Sequence, residues 1–267
     1  MAKMFGLVGE TLGHSFSPMI HRMVYSATGW QAEYGLFQVA QEELKNLIPS
    51  LKTLGVDGVN VTIPYKQMVM PFLDEISSEA TSIGAVNTVI FKNGTTIGDN
   101  TDYYGIVKTF ETMGVSLEGK QAVVLGNGGA SKAVQAVLRD HHASCEIFSI
   151  EEDGNPDFSA LPSLGNRDIL INATPVGMHP NGAETPVNTE ILSKFQCVFD
   201  LVYNPMPTRL VREAEELGLS ASTGLSMLVY QAIRSDELWF GEKVSDEQVA
   251  AIVKRVFAVV KGEGASQ

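Results

Sequence analysis

Short apolar runs alternate with longer amphipathic segments along almost the whole chain. The apolar runs have the length and β-branched content that predict β-strands, and apolar residues recur at helical spacing between most of them. Such alternation predicts an α/β fold with largely parallel sheets. The expected strands form two series, 4–9, 33–39, 57–62 and 86–91 in the first and 121–125, 145–150, 168–172 and 196–201 in the second.

Two series of strands predict two α/β lobes with a cleft between them. A helix is expected to begin at Ser17-Pro18, where serine can cap and proline suits the first helical position. Asn93-Gly94 predicts a hairpin turn between two strands. The chain from Leu225 to about Val260 has a helical pattern, with a polar break at 241–243 and a new cap at Ser245.

Composition narrows the class of protein. The 267 residues are 44 % hydrophobic and 19 % charged, as in soluble globular proteins, and no apolar run has the roughly 20 residues that span a bilayer. A net charge of −12 argues against nucleic acids and anionic membranes as partners. Cys145 and Cys197 lie in apolar strand-like runs, which favours buried, reduced thiols in the cytoplasm. The five histidines show no metal-ligand spacing, so no metal is expected.

A glycine-rich loop follows the first strand of the second series. Gly126-x-Gly128 comes after a strand and opens a helix, as a dinucleotide-binding loop requires. Glycines let a pyrophosphate approach the helix N-terminus, where free N–H groups favour anions. Ser131 stands where the usual fingerprint has its third glycine. The alternative is that the loop only turns the chain.

The end of the next strand is the position that contacts the adenosine ribose in such folds. Here it carries Ser149-Ile150-Glu151, followed by two more acids. An acidic residue accepts hydrogen bonds from the ribose hydroxyls of NAD, whereas a 2′-phosphate favours arginine and is repelled by acids. A solvated acidic turn is the alternative. The stretch 150–167 contains two glycines and two prolines, so a full crossover helix is not expected there.

Four segments of the first series place polar residues at strand ends. They supply hydroxyls, an amide, a lysine and a carboxylate, which suits a small polyhydroxylated acid. A lysine beside a carboxylate can also transfer the proton that accompanies hydride transfer to a carbonyl. The alternatives are a surface lysine at Lys66 and a helix cap at Asp102. The segments are 14–18, 60–66, 84–88 and 98–102.

At these residues the chain resembles the shikimate dehydrogenase family, and the resemblance extends over nearly its whole length. It implies a substrate-binding lobe, a Rossmann-like nucleotide lobe, and C-terminal helices that return to the first lobe. We therefore expect a substrate-binding domain at 1–103, completed by 225–267, and a nucleotide-binding domain at 104–224. The matching motifs are HSFSP at 14–18, NVTIPYK at 60–66, IGAVNT at 83–88, GDNTD at 98–102, GNGGASK at 126–132, INATPVGM at 171–178, DLVYNPMPT at 200–208 and GLSMLVYQA at 224–232.

The resemblance implies an oxidoreductase that reversibly reduces 3-dehydroshikimate to shikimate with a nicotinamide cofactor, in the pathway to chorismate and the aromatic amino acids. Lys66 and Asp102 would be the catalytic pair, with Lys66 as the principal acid/base group. Ser15 and Ser17, helped by Tyr203, would bind the substrate carboxylate. The ring hydroxyls would be bound by Thr62, Asn87, Asp102 and Gln231. The cofactor would be bound by Gly126, Asn127, Gly128, Gly129, Ala130, Ile150, Glu151, Thr174, Leu201 and Gly224.

Two departures from the family pattern matter. NADP-using members usually carry Asn-Arg-Thr where this chain has Ser149-Ile150-Glu151, so NAD becomes a plausible cofactor beside the family's usual NADP. Tyr103-Tyr104 replaces a glycine that many members have after the aspartate. A paralogue that oxidises quinate, or both quinate and shikimate, with NAD is the alternative. A second alternative is a ligand sensor that does not catalyse a reaction. The presence of Lys66 and Asp102 argues against it. A monomer or homodimer is expected.

Overall fold

The structure is a computed structural model that describes residues 2–13, 15–148 and 161–262. The strands of this part of the chain are β1 (Lys3–Gly9), β2 (Ala32–Gln38), β3 (Gly58–Val61), β4 (Glu75–Ile76), β5 (Thr88–Lys92), β6 (Thr95–Asp99), β7 (Gln121–Leu125), β8 (Ser144–Phe148), β9 (Ile169–Asn172), β10 (Cys197–Asp200) and β11 (Ser220–Thr223). The helices are α1 (Ser17–Thr28), α2 (Leu44–Thr53), α3 (Ser78–Ile83), α4 (Thr101–Met113), α5 (Gly129–Asp140), α6 (Thr189–Leu192), α7 (Arg209–Glu216), α8 (Leu225–Phe240) and α9 (Asp246–Val260). None of the described helices is long and apolar enough to cross a membrane.

The chain divides into two compact units. The first comprises Met1–Tyr104 and Leu228–Gln267, and the second comprises Gly105–Met227. The chain therefore leaves the first unit within α4 and returns to it within α8.

The first unit contains a mixed six-stranded sheet in the order β2-β1-β3-β5-β6-β4. The strand β1 pairs in parallel with β2 and β3, but β5 runs antiparallel to both β3 and β6. The expected hairpin at Asn93-Gly94 is confirmed, with positive φ at both residues. Two reversals of the chain, one between β3 and β5 and one at this hairpin, make the sheet less parallel than the sequence pattern predicts.

Helix α8 packs against the middle of this sheet. The Trp239 ring stacks on Phe5 with centroids 4.5 Å apart, and its indole N–H donates to the Val89 carbonyl at 3.1 Å. A side chain at Gly58 would overlap that indole, so the absence of a Cβ there lets the helix approach β3. The close contact fixes the position of α8 over the strands whose ends carry the predicted substrate residues.

The second unit contains a five-stranded sheet that is parallel throughout, in the order β11-β10-β9-β7-β8. Its core is built from apolar residues of β7, β9 and β10 and of helices α6 and α7. The expected break and cap near the chain end are confirmed. Helix α8 ends before Gly241, and Ser245 caps α9 in a capping box with Gln248.

Two local predictions are wrong. Helix α1 has Phe16 at its N-cap, without a side-chain capping bond, and Ser17 is its first residue. The Ser15 hydroxyl instead accepts the Ser17 N–H at 3.2 Å. Cys145 is exposed and only Cys197 is buried, because Cys145 lies on β8, the edge strand of its sheet.

Candidate active site

Lys66 and Asp102 form an ion pair in the first unit. Lys66 Nζ lies 2.5 Å from Asp102 Oδ2, and the two side chains are 14 % and 5 % exposed. Lys66 lies in the turn after β3, where its carbonyl accepts the Val86 N–H at 2.8 Å. Asp102 lies in the first turn of α4, and its N–H donates to the Asn100 side chain at 3.1 Å. Asn100, and not Asp102, therefore supplies the side-chain acceptor at this helix start, which leaves the Asp102 carboxylate for Lys66.

Asn87 holds the other oxygen of this carboxylate. Its Nδ2 donates to Asp102 Oδ1 at 2.9 Å, and its Oδ1 accepts the backbone N–H of Thr101 at 2.7 Å. Because a backbone N–H can only donate, this contact fixes which end of the amide faces Asp102. Both carboxylate oxygens therefore have a donor, and the ion pair is held in one orientation.

Antiparallel pairing brings these sequence-distant residues together. Asn60 of β3 faces Thr88 of β5, and Thr88 in turn faces Asp99 of β6. The end of β3, the start of β5 and the end of β6 therefore lie side by side. Lys66, Asn87 and Asp102 each lie a few residues beyond one of these strand ends.

Gln231 of α8 contacts Asn87 and Thr101 beside the ion pair. Its Oε1 is 3.5 Å from Asn87 Nδ2 and 3.4 Å from Thr101 Oγ1, and its Nε2 donates to the Leu228 carbonyl at 2.9 Å. Four of the residues predicted from sequence, Lys66, Asn87, Asp102 and Gln231, thus form one connected hydrogen-bonded group.

Ser17, predicted to bind the substrate carboxylate, and Thr62, predicted to bind a ring hydroxyl, follow the carboxyl ends of β1 and β3. Ser17 is almost wholly buried at the start of α1, the helix that follows β1. Thr62 comes directly after β3, and its N–H donates to the Val8 carbonyl of β1 at 2.9 Å. Since β1 and β3 are parallel neighbours, these two ends meet at one edge of the sheet. Tyr203 belongs to the second unit, and its role at the substrate carboxylate remains a prediction.

In the second unit, the predicted cofactor residues meet at the carboxyl edge of the parallel sheet. The last residues of its strands are in register, Leu125 with Asn172, Asn172 with Asp200, and Asp200 with Thr223. This edge is where open α/β sheets bind their ligands. Gly126, Thr174, Leu201 and Gly224 all follow these strand ends within two residues.

The glycine loop has the geometry of a phosphate cradle. Gly126 has φ +99°, and a Cβ there would lie 2.9 Å from the Ala173 carbonyl oxygen, so only glycine fits without strain. Gly128 is the N-cap of α5, without a side-chain cap, and a Cβ there would meet no atom within 4 Å. Asn127, Gly129 and Ala130 complete the loop and the first turn of α5. The first N–H groups of a helix have no intrahelical acceptor, so the open space at Gly128 leaves room for an anion to approach them.

Ser131 replaces the third glycine without opening the loop. Its side chain is fully buried, and its hydroxyl donates to the Gly126 carbonyl at 2.7 Å. Gln135 donates to the same hydroxyl at 3.0 Å. The serine therefore ties the loop to α5, a function that its position in the motif does not predict.

Thr174, Leu201 and Gly224 lie at the same edge of the sheet. Thr174 is buried, and its hydroxyl donates to Asn172 Oδ1 at 2.6 Å. At Gly224, a Cβ would overlap the Leu201 carbonyl, so these two segments touch through their backbones. Ile150 and Glu151, the predicted ribose contacts, lie outside the described residues. Among the residues of 2–13, 15–148 and 161–262, no cluster of three or more His, Cys, Asp or Glu could hold a metal ion.

A cluster of buried hydroxyls behind the ion pair was not predicted as functional. Thr88 Oγ1, Thr101 Oγ1 and Ser235 Oγ lie 3.0–3.1 Å from one another, and we call them the hydroxyl cluster. Asn60 donates to Thr88 and Ser235 of this cluster at 3.0 and 2.8 Å. Helical spacing offered one signal, since Ser235 lies one turn after Gln231 on α8. No sequence pattern indicates that it meets β3 and β5.

Known proteins resemble the chain along almost its full length. Residues 7–89 match the family described as shikimate dehydrogenase substrate binding domain. The shikimate dehydrogenase (NADP(+)) of Clostridium perfringens is 42 % identical over 254 residues, covering 91 % of this chain and 94 % of the relative. The crystal structure of shikimate dehydrogenase 1 from Peptoclostridium difficile superposes with a TM-score of 0.91 at 38 % identity, covering 97 % of this chain and 99 % of that one.

A further solved structure carries ligands. Shikimate 5-dehydrogenase from Thermus thermophilus, in complex with NADP(H) and shikimate, has a TM-score of 0.84 at 31 % identity and covers 95 % of this chain and 99 % of that one. Identities of 31–42 % over at least nine-tenths of the chain, with the motif residues gathered in two groups, agree with the resemblance found in the sequence. The chain therefore belongs to the shikimate dehydrogenase family.

Proposed function

We propose that the protein catalyses the reversible reduction of 3-dehydroshikimate to shikimate with a nicotinamide dinucleotide. The observation that carries this proposal is the buried Lys66–Asp102 pair, whose carboxylate is oriented by Asn87. A general acid must lie where a substrate oxygen can reach it, and its protonated form must be stabilised. The carboxylate at 2.5 Å stabilises the charged form of Lys66.

Lys66 acts as the proton donor in the direction of ketone reduction. Its ammonium group has three N–H donors, and one of them is directed to Asp102 Oδ2. A second donor remains for the oxygen of the reacting carbonyl, which becomes an alkoxide as the carbon gains hydride. In the reverse direction the amine of Lys66 takes the proton of the ring hydroxyl. Positioned acid–base catalysis of this kind contributes about 10²- to 10⁴-fold to the rate.

Asp102, Asn87, Gln231 and Thr62 bind the ring hydroxyls in this proposal, and Ser15 and Ser17 bind the carboxylate with Tyr203. The amides of Asn87 and Gln231 and the hydroxyl of Thr62 can both donate and accept, whereas the Asp102 carboxylate only accepts. Together they determine which hydroxyl faces Lys66. Burial raises the pKa of the Tyr203 hydroxyl. Tyr203 therefore stays a neutral donor, as a carboxylate ligand requires.

The second unit fits a dinucleotide. Gly126 permits a turn that other residues would strain, and the open space at Gly128 admits a phosphate to the N-terminus of α5. A bound nicotinamide would supply or accept the hydride. Gly126, Asn127, Gly128, Gly129 and Ala130 would bind the pyrophosphate, while Thr174, Leu201 and Gly224 line the adjoining edge of the sheet.

Among the nicotinamide cofactors, we propose that NAD is accepted at least as well as NADP. The support is the sequence Ser149-Ile150-Glu151, in which a carboxylate stands where an arginine would favour a 2′-phosphate. The curated relative of C. perfringens bears the name of an NADP(+) enzyme, so this preference would be a property of the present chain. We further propose that the protein works in the cytoplasm as a monomer or homodimer, and its two cysteines are free thiols.

The test is a direct assay of turnover. Purified protein is incubated with shikimate or quinate and with NAD or NADP, and the absorbance of the reduced nicotinamide is followed. Turnover of shikimate with a kcat/KM above that of quinate supports the proposed reaction. Binding of shikimate without turnover with either cofactor would overturn it in favour of a sensor. A higher kcat/KM with NADP than with NAD would overturn only the cofactor preference.

A further inference from the structure

Tyr34 places a buried hydroxyl behind the candidate substrate site. It lies on β2, is 4 % exposed, and its ring stacks on the His21 ring with centroids 3.9 Å apart. Its hydroxyl donates to Asn60 Oδ1 at 2.9 Å. Burial raises the pKa of Tyr34 well above its ordinary value, and the charge of Asp236 adds to the rise. The phenol is therefore neutral and keeps the proton that it donates to Asn60.

Asn60 links Tyr34 to the hydroxyl cluster behind the ion pair. Its Nδ2 donates to Ser235 Oγ and Thr88 Oγ1, and it lies 3.3 Å from the Asn87 carbonyl. A carbonyl can only accept, so the amide of Asn60 has one orientation, with its oxygen toward Tyr34.

The hydroxyl cluster connects Asn60 to Asn87. Thr88 Oγ1 donates to Asn87 Oδ1 at 3.0 Å, and Thr101 Oγ1 lies 3.2 Å from the same oxygen. The amide of Asn87 then holds the Asp102 carboxylate at 2.9 Å. A continuous chain of buried hydrogen bonds thus runs from Tyr34 to the carboxylate that pairs with Lys66.

We infer that Tyr34 is a positioning residue that holds the Asn60–Asn87–Asp102 chain of hydrogen bonds in place, so that the Asp102 carboxylate stays oriented toward Lys66 and the reacting hydroxyl. This inference rests on the proposed function, because it assigns Tyr34 an effect through residues of that site. It predicts that removing the one hydroxyl lowers turnover through Asn60 and leaves substrate affinity nearly unchanged.

The variant Tyr34→Phe removes the hydroxyl and keeps the ring on His21. Tyr25→Phe is the matched control, since Tyr25 is also a buried tyrosine of this unit and, among the described residues, its hydroxyl makes no hydrogen bond to Asn60. Leaving Asn60 Oδ1 without its donor is a cost on the scale of a buried unsatisfied group. We expect kcat for shikimate to fall about 5- to 20-fold in Tyr34→Phe with KM changed less than about 2-fold, and changes below about 2-fold in both constants in Tyr25→Phe.

A double-mutant cycle with Asn60→Ala tests the route of this effect. In the Asn60→Ala background, Tyr34→Phe should lower kcat no further, because the amide through which the hydroxyl acts is gone. Urea unfolding of all variants shows whether a general loss of stability accounts for the change. The inference is overturned if Tyr34→Phe behaves as Tyr25→Phe does, or if its effect on kcat is the same with and without Asn60. If the wild-type protein does not oxidise shikimate at all, it is the proposed function that fails.

Discussion

The ammonium of Lys66 lies 2.5 Å from the carboxylate of Asp102, although 36 residues separate them in the chain. The pair is largely buried, and the second carboxylate oxygen accepts from Asn87. A buried charge without a partner is costly, so each member of such a pair depends on the other. We therefore expect different effects on turnover and stability when Lys66 is replaced and when Asp102 is replaced.

Lys66→Met should abolish most turnover and keep substrate binding. The variant removes the proton donor while the methionine fills a similar volume. We expect kcat for shikimate oxidation to fall about 10²- to 10⁴-fold, with the Kd for shikimate, measured by calorimetry, changed less than about 10-fold. Lys52→Met is the control, because Lys52 is a half-exposed lysine that pairs with Asp74 away from this group. A kcat within about 10-fold of wild type in Lys66→Met would contradict the role assigned to Lys66.

Asp102→Asn should lower both turnover and stability. The asparagine has the shape of aspartate, but Lys66 then keeps a buried charge without its counterion. We expect a loss of about 2 kcal/mol in the free energy of unfolding, measured by urea denaturation, and a kcat reduced at least about 100-fold. Combining Asp102→Asn with Lys66→Met removes the unpaired charge, so the double variant should regain most of the lost stability and none of the turnover. Equal stabilities of the single and double variants would contradict the coupling.

Features of the fold and of the candidate site could be predicted from the sequence where they depend on residues that are neighbours in the chain. Asn93-Gly94 and Ser245 act on neighbouring backbone groups, so their turn and cap followed from residue type alone. Lys66 and Asp102 were found because a motif surrounds each of them. Ser17 shows the limit, since its neighbour Phe16 takes the cap position and the Ser17 N–H donates to the Ser15 hydroxyl instead.

Contacts between distant segments could not be predicted in the same way. The hydroxyl cluster requires β5, α4 and α8 to meet, and its members are ordinary serine and threonine residues in sequence. In the sequence, Ser131 is only a departure from the glycine motif. The structure shows that its hydroxyl donates to the Gly126 carbonyl and so links the loop to α5. The parallel second sheet was predictable from periodicity, whereas the mixed first sheet depended on two reversals of the chain, one before β5 and one at the hairpin after it.

Asp200 should make stability fall as pH rises through weakly acidic values. Burial raises its pKa from 3.8 to about 6, against the opposing effect of hydrogen bonds from the Val202 amide and Asn172. The folded protein therefore binds more protons at Asp200 than the unfolded chain between pH 4 and 6. The contribution of this group is complete below about pH 4 and is lost as pH rises past about 6, a change of about 3 kcal/mol.

The variant Asp200→Asn isolates that contribution, because an amide accepts the same two hydrogen bonds without titrating. The difference in unfolding free energy, variant minus wild type, should increase between pH 4 and 7. Asp74→Asn is a control of opposite sign, since hydrogen bonds from Thr96 lower the pKa of Asp74 to about 2, and stability from this group is lost as pH falls. A difference for Asp200→Asn that stays constant from pH 4 to 7 would show that Asp200 titrates normally.

Gly128→Ala and Gly126→Ala should separate cofactor binding from folding. At Gly128, φ is −78° and the added Cβ meets open space, so the variant should unfold at the same urea concentration as wild type. The methyl group would stand where a pyrophosphate approaches α5, and we expect the KM for the dinucleotide to rise about 10-fold or more, with the KM for shikimate unchanged. At Gly126, φ is +99° and the Ala173 carbonyl lies 2.9 Å from the added Cβ, so we expect a loss of about 1–3 kcal/mol in stability. If Gly128→Ala left the cofactor KM unchanged, the loop would only turn the chain, and the phosphates would have to bind at another part of the sheet edge.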